Sequence, residues 1–239
     1  MDPRLAVIQR RLQNINRFIA VTGGKGGIGK SFVASALALS LVKQGHRVGL
    51  LDLDLTGPCD HLFLGIRGAF PEEDFGILPQ NHHGIQFMSV VHFLGEHPAP
   101  LRGEDTTQAL LELLAITRWG ELDYLVLDMP PGLSDATLDA MRFLPGAEFL
   151  VVSTPSLIVR ETVRRSLHFL RSSGRQVLGV VENMALPGSS PVQALAEAFE
   201  LRLLARLPQD PDLEAALGDP EALWKTQAVQ ALAGLTQAW

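Results

Sequence analysis

Gly24, Gly29, Lys30 and Ser31 stand at the spacing G-x-x-x-x-G-K-[ST] inside the run V-T-G-G-K-G-G-I-G-K-S at 21–31. In such a loop the backbone N–H groups surround phosphate oxygens, the lysine reaches the β- and γ-phosphates, and the hydroxyl binds Mg²⁺. The chain has only four lysines, Lys25, Lys30, Lys43 and Lys225, and two of them fall in this loop. Carboxylates stand at the ends of two later apolar runs: Asp52-Leu53-Asp54 after 46–51, and Asp128 after 124–127. An apolar strand ending in Asp is the second Mg²⁺ element of phosphate-loop enzymes. Asp54 with Thr56, Gly57 and Pro58 forms a loop that either faces the γ-phosphate or is a turn capped by Asp54. Gly132, in Met129-Pro130-Pro131-Gly132, offers a backbone N–H to the same phosphate.

These groups need strands to end at them and a helix to start at the loop. The run 18–22 is short and apolar, as a buried strand is, and 32–42 carries helix-forming Ala and Leu. The loop therefore meets the positive end of a helix. Further strands are predicted at 46–51, 85–91, 124–127, 147–153, 177–181 and 201–207, with helices at 107–117, 157–170 and 192–199. Continuous apolar strands alternating with helices give a three-layer α/β fold, a mainly parallel sheet with helices on both faces. The whole of 1–239 is predicted to be a single domain. Its N-terminal helix spans 1–16, with Leu5, Ile8, Leu12 and Ile15 on one face. Its C-terminal helix spans 220–239, with Trp224, Ala228, Leu232, Leu235 and Trp239 on one stripe. A membrane-surface helix wants a basic face, and only Lys225 is available there, so this helix is expected to dock on the body. The stretch 59–105 is irregular and rich in Gly, Pro and His. Following a loop that would face the γ-phosphate, it is expected to move with nucleotide or to contact a second copy.

With 239 residues, 46% of them hydrophobic, the chain can bury a substantial core. A formal charge of −6 opposes a nucleic-acid-coating role. One cysteine excludes an internal disulfide and suits a reducing cytoplasm. Neither a signal peptide nor an apolar run of about 18 residues is expected to carry the chain into a membrane.

Lys25-Gly26-Gly27-Ile28-Gly29-Lys30-Ser31, Asp52-Leu53-Asp54-Leu55-Thr56-Gly57-Pro58, Asp123-Tyr124-Leu125-Val126-Leu127-Asp128-Met129-Pro130-Pro131-Gly132 and Val181-Glu182-Asn183-Met184 together resemble the Mrp (ApbC) family of ATPases. That family sits in the deviant Walker A group with MinD, ParA and the nitrogenase iron protein. The similarity runs from about Ile15 to about Leu217. It implies a three-layer P-loop NTPase fold, ATP/ADP and Mg²⁺ as cofactors, and a homodimer. By the same resemblance, Lys25 crosses the dimer interface to the partner's nucleotide, Lys30 holds the β/γ-phosphates in cis, and Asp54 orients the attacking water. Gly24, Gly26, Gly27, Ile28, Gly29, Ser31 and Phe32 complete the phosphate cradle. Ser31, Asp52 and Asp128 serve the metal, and Gly57, Pro58 and Gly132 the switch. Asn183 reads adenine, either that or it caps a turn, with Pro208-Gln209-Asp210 as the other wall of the base pocket.

Relatives that carry iron–sulfur clusters place a Cys-x-x-Cys pair shortly after Glu-Asn-Met, and here 185–191 reads A-L-P-G-S-S-P. Thiolates hold Fe–S iron, so the usual ligands are absent. Cys59 stands where the family's Gly-Pro-Ser has its Ser, with His61, His82, His83, His92 and His97 as further nitrogen donors. The resemblance implies assembly or delivery of an iron–sulfur or other metallocofactor, with a client or partner protein. The alternative is a nucleotide-gated recruitment ATPase of the ParA/MinD kind, without a metal cargo.

Overall fold

The computed structural model describes residues 2–67, 70–94 and 104–236. Helix α1 (Arg4–Leu12) leads into β1 (Ile15–Gly23), and the glycine-rich loop joins β1 to α2 (Lys30–Lys43). Then come β2 (Val48–Asp52), the short α3 (Asp60–Phe63), β3 (Gln80–His82), β4 (Ile85–Ser89) and α4 (Val91–Leu94). The chain continues through α5 (Glu104–Ile116), β5 (Leu122–Asp128), α6 (Asp135–Phe143), β6 (Glu148–Ser153), α7 (Leu157–Ser172) and β7 (Val177–Ala185). It closes with α8 (Pro191–Glu197), β8 (Leu203–Pro208), α9 (Leu213–Ala216), α10 (Pro220–Lys225) and α11 (Gln227–Thr236).

The strands form one eight-stranded sheet in the order β3-β4-β2-β5-β1-β6-β7-β8. Every neighbouring pair is parallel except β3 with β4. Helices cover both faces, the three-layer α/β arrangement expected from the strand pattern. Strands buried on both faces cannot alternate apolar with polar, and Tyr124 to Leu127 of β5 are accordingly all buried. Helix α2 has no solvent face between Phe32 and Leu41: every position there is buried, the two polar ones, Ser35 and Ser40, included. It packs on β1, β2 and β5 and is covered by α10 and α11, as a helix without a polar face must be.

Three expectations need correction. Ile15 does not extend the N-terminal helix: it opens β1, paired with Leu122 in the ladder, while Ile8 and Leu12 are buried as the helical stripe required. The single helix expected at 220–239 is two, broken at Thr226, whose extended ψ of 147° ends α10. The Thr226 hydroxyl donates to the Leu223 carbonyl and accepts from Val229 N. Of the expected stripe, Ala228, Leu232 and Leu235 are nonetheless buried and Trp224 is half-buried against the core, and residue 239 lies outside the described residues. The stretch 59–105 is not wholly irregular, since it holds α3, the antiparallel β3–β4 pair and α4, and the strand foreseen at 85–91 stops at Ser89.

Candidate functional site

The loop after β1 is shaped by glycine. Gly27 and Gly29 have φ of 74° and 84°, in the left-handed region where a side chain is strained. A Cβ on Gly24 would lie 2.5 Å from the Val163 backbone N, and one on Gly29 would lie 2.2 Å from Asn183 Nδ2. Lys25 is exposed at the tip, whereas Lys30 is buried at 6% exposure where α2 begins. The structure thus separates the two lysines by environment, one free to reach outward and one fixed over the helix end.

Sheet register brings the carboxylates to this loop. Asp52 and Asp128 are register partners at the carboxyl ends of β2 and β5, and Val21 of β1 pairs with Asp128 from the other side. Ligands of open α/β sheets bind outside these strand ends. Ser31 Oγ donates to Asp128 Oδ2 at 2.5 Å. Asp52 Oδ1 accepts from Asp54 N at 3.0 Å. Both acids are buried, at 0% and 1% exposure. Burial pushes Asp128 up to about 7, opposed by the Ser31 hydrogen bond and the Lys30 charge. Burial, and then the Asp128 charge, raise Asp52 well above the usual carboxylate range.

The loops that follow β2 and β5 face each other across one cavity. Asp54 Oδ1 accepts from Thr56 Oγ1 at 2.8 Å and from Gly57 N at 3.1 Å, a self-capped turn that leads into Pro58. Gly132, with φ of 68°, lies against the glycine-rich loop, where a Cβ would be 3.6 Å from the Gly24 carbonyl oxygen. Thr137, in the first turn of α6, donates to the Gly132 carbonyl at 2.9 Å. A cavity of about 250 Å³ runs between Asp54, Thr56, Pro130, Pro131 and Ser134. The sequence reading missed α6; its signal was Ser134, an N-cap that accepts from Thr137 N.

Asn183, near the end of β7, is buried and donates through Nδ2 to the Ile28 carbonyl at 2.9 Å. Ala185 pairs with Pro208 of β8, which sets the loop after β8 beside this strand end. The Asp210 carboxylate is engaged elsewhere, accepting from Asp212 N and from Ala228 N at the start of α11. The cysteine-free loop at 185–190 is tied down by Arg206, which bonds the Leu186 and Gly188 carbonyls and the buried Glu182 carboxylate.

Among the described residues, the one group of three or more His, Cys, Asp or Glu side chains placed to share an ion is Asp52, Asp60 and Asp128, with one ligand atom from each within 4.8 Å of the others. Asp60 was not among the residues the sequence singled out; its only signal was an acid at a helix start just after Gly57-Pro58-Cys59. Hard oxygen donors suit Mg²⁺, and Asp128 Oδ1 is buried without a hydrogen-bond partner, so Ser31, Asp52 and Asp128 fit that ion. They do not make an iron–sulfur site: the sole thiol, Cys59, is pushed up to about 11 by burial, against a hydrogen bond with Ser31, and cluster iron needs thiolates. Burial lowers the pKa of His61, His82 and His92 below the usual imidazole value, that of His92 to about 4. His83 is a turn residue at φ of 53°, and His97 lies outside the described residues.

The sequence profile described as "ParA: NUBPL iron-transfer P-loop NTPase" matches residues 14–236. An iron-sulfur cluster carrier protein of Saccharolobus solfataricus is 36% identical over 232 residues, covering 89% of this chain and 78% of its own. A cytosolic Fe-S cluster assembly factor NUBP2 homolog of Culex quinquefasciatus is also 36% identical over 232 residues, covering 88% and 90%. Among solved structures, the nucleotide-binding protein from Archaeoglobus fulgidus, in complex with ADP, superposes with a TM-score of 0.76 at 32% identity, over 92% of this chain and 93% of that one.

Proposed function

The chain belongs to the NUBPL iron-transfer P-loop NTPase family of ParA-type proteins, and from that premise we propose that it is a Mg²⁺-dependent ATPase whose hydrolysis drives assembly or delivery of an iron–sulfur cluster. The observation that supports this is that Lys30 and Ser31, where α2 begins, come together with Asp52 and Asp128, where β2 and β5 end, an arrangement suited to a phosphate and a cation side by side. Relatives covering most of the chain are named as iron–sulfur carriers and assembly factors.

In this reading Lys30 holds the β- and γ-phosphates, Ser31 and Asp128 seat the cation, and Asp52 supports it. Bound Mg²⁺ would neutralise charge building on the phosphates. Asp54 orients the attacking water once its self-capped turn opens toward the γ-phosphate, and the Gly57-Pro58 and Gly132 loops respond to that phosphate. Two copies share the site, with the exposed Lys25 of each reaching the other's nucleotide. Asn183 and the 208–210 loop flank the base. The whole chain acts as one P-loop unit, in the cytoplasm, as the name of the Culex relative supports. The cluster is cargo rather than a resident group, received from or passed to a partner that supplies the thiolates.

The cysteine-free 185–191 loop favours a second reading, a nucleotide-gated recruitment ATPase with no metal cargo. Incubation of the purified chain with a cluster-loaded donor and an apo-ferredoxin acceptor separates them. The first reading predicts ATP-dependent acceleration of cluster transfer; transfer at the same rate with and without the chain would overturn it.

A further inference from the structure

Asp60 is the one member of the carboxylate cage that the nucleotide reading leaves without a role. It is fully buried at the start of α3, 0% exposed, and its Oδ1 accepts from Ser35 Oγ of α2 at 2.6 Å. One ligand oxygen of Asp60 lies within 4.8 Å of one from Asp52 and one from Asp128. Asp60 Oδ2 is buried with no hydrogen-bond partner, and so is Asp128 Oδ1 across the cage. Buried polar atoms are almost always partnered, and two unpartnered carboxylate oxygens in one cage are open to a ligand that takes oxygen donors. Three carboxylates and the Ser31 hydroxyl are all hard oxygen donors, the set that Mg²⁺ or Mn²⁺ takes.

We propose that Asp60 is a third carboxylate of the cation seat, and that it lets a hard divalent ion bind before nucleotide arrives. In an ordinary phosphate loop the ion is held largely by nucleotide phosphates and water, so it enters with the nucleotide. Here Asp52, Asp60 and Asp128 supply three carboxylate ligands beside the Ser31 hydroxyl, so the chain's own oxygens hold the ion and ATP would enter a site whose metal is already in place. The inference rests on the nucleotide-site reading and adds an order of events to it.

The test is titration of Mn²⁺ into the nucleotide-free full chain, with free Mn²⁺ read by electron paramagnetic resonance. One Mn²⁺ per chain, displaced by Mg²⁺, is expected, and Asp60→Asn should weaken it roughly 10-fold or more, as loss of supporting groups at metal sites does. Binding of a fluorescent ADP analogue checks that the variant is folded; if Asp60→Asn fails that check, Asp60→Ser carries the same expectation. Mn²⁺ binding by the folded variant with unchanged affinity would overturn the proposal. So would wild-type chain that binds Mg-ADP but takes up no Mn²⁺ without it, and in that case the nucleotide reading survives. A chain that binds neither overturns both.

Discussion

Ser31 Oγ and Asp128 Oδ2 lie 2.5 Å apart, the hydroxyl donating to the carboxylate, although 97 residues separate them in the chain. The hydroxyl that starts the α2 helix and the acid that ends β5 are thus already turned toward each other. Arrival of a cation between them asks for exchange of one hydrogen bond rather than rebuilding of a loop, which is what preorganisation means in electrostatic terms. The arrangement follows from β1 lying between β5 and β6, which puts the glycine-rich loop directly above the β5 end.

The two loop lysines should separate kinetically. Lys25 is exposed, so Lys25→Ala is expected to keep binding of a fluorescent ADP analogue by the single chain while lowering phosphate release roughly 100-fold, as removal of a transition-state donor does. Release at the parental rate would remove the cross-subunit assignment.

Asp54→Asn should bind ATP and Mg²⁺ without turning it over, and so accumulate the paired state. Light scattering should then report twice the 26.0 kDa chain mass. A single-chain mass at saturating ATP would sink the role given to Asp54.

Gly29 has a φ of 84° and no room for a Cβ beside Asn183. Gly29→Ala therefore costs roughly 1–3 kcal/mol in backbone strain alone and pushes the Asn183 amide off the Ile28 carbonyl. A thermal midpoint equal to that of the parent would contradict the geometry.

Glu182 is fully buried and paired with Arg206 Nε at 2.7 Å. Removing one partner strands a charge, which costs about 3–5 kcal/mol when both are buried; Arg206 is 37% exposed at its side chain, so Arg206→Ala should cost roughly 2–4 kcal/mol by that measure. The 185–190 loop should also become the first site of proteolysis. Denaturant melts and limited digestion check both.

His92 is held down to about 4 by burial, with His82 and His61 adding to the shift, whereas the unfolded side chain titrates near 6.5. Between these values the unfolded chain binds the extra proton, so stability falls as pH drops through 6.5 toward 4. Buried Asp128, raised to about 7, pulls the opposite way over the same range, so the comparison has to be differential. The stability advantage of the parent over His92→Gln should shrink between pH 7 and pH 4.5; a constant difference would contradict the assignment.

What was legible in the sequence was whatever local spacing encodes. Gly24 to Ser31, Asp52 and Asp128 could be read because a strand end, a turn and a helix start each leave a short pattern. Ile15 was misread because its apolar side chain continues a helical stripe by period, while the β1–β5 ladder claims its backbone. Thr226 was overlooked because a break made by one hydroxyl and an extended ψ leaves an apolar stripe intact. The tie from Asn183 to Ile28 spans 155 residues, and Asp60 joins Asp52 and Asp128 only because α3 folds back under α2. Neither relationship has a local pattern to find.

Steady-state phosphate release from ATP, with and without Mg²⁺, by the parent and by Lys30→Ala, tests the central claim most directly. The account predicts turnover that requires Mg²⁺ and is lost in Lys30→Ala. Mg²⁺-independent release, or equal release by parent and variant, would contradict it.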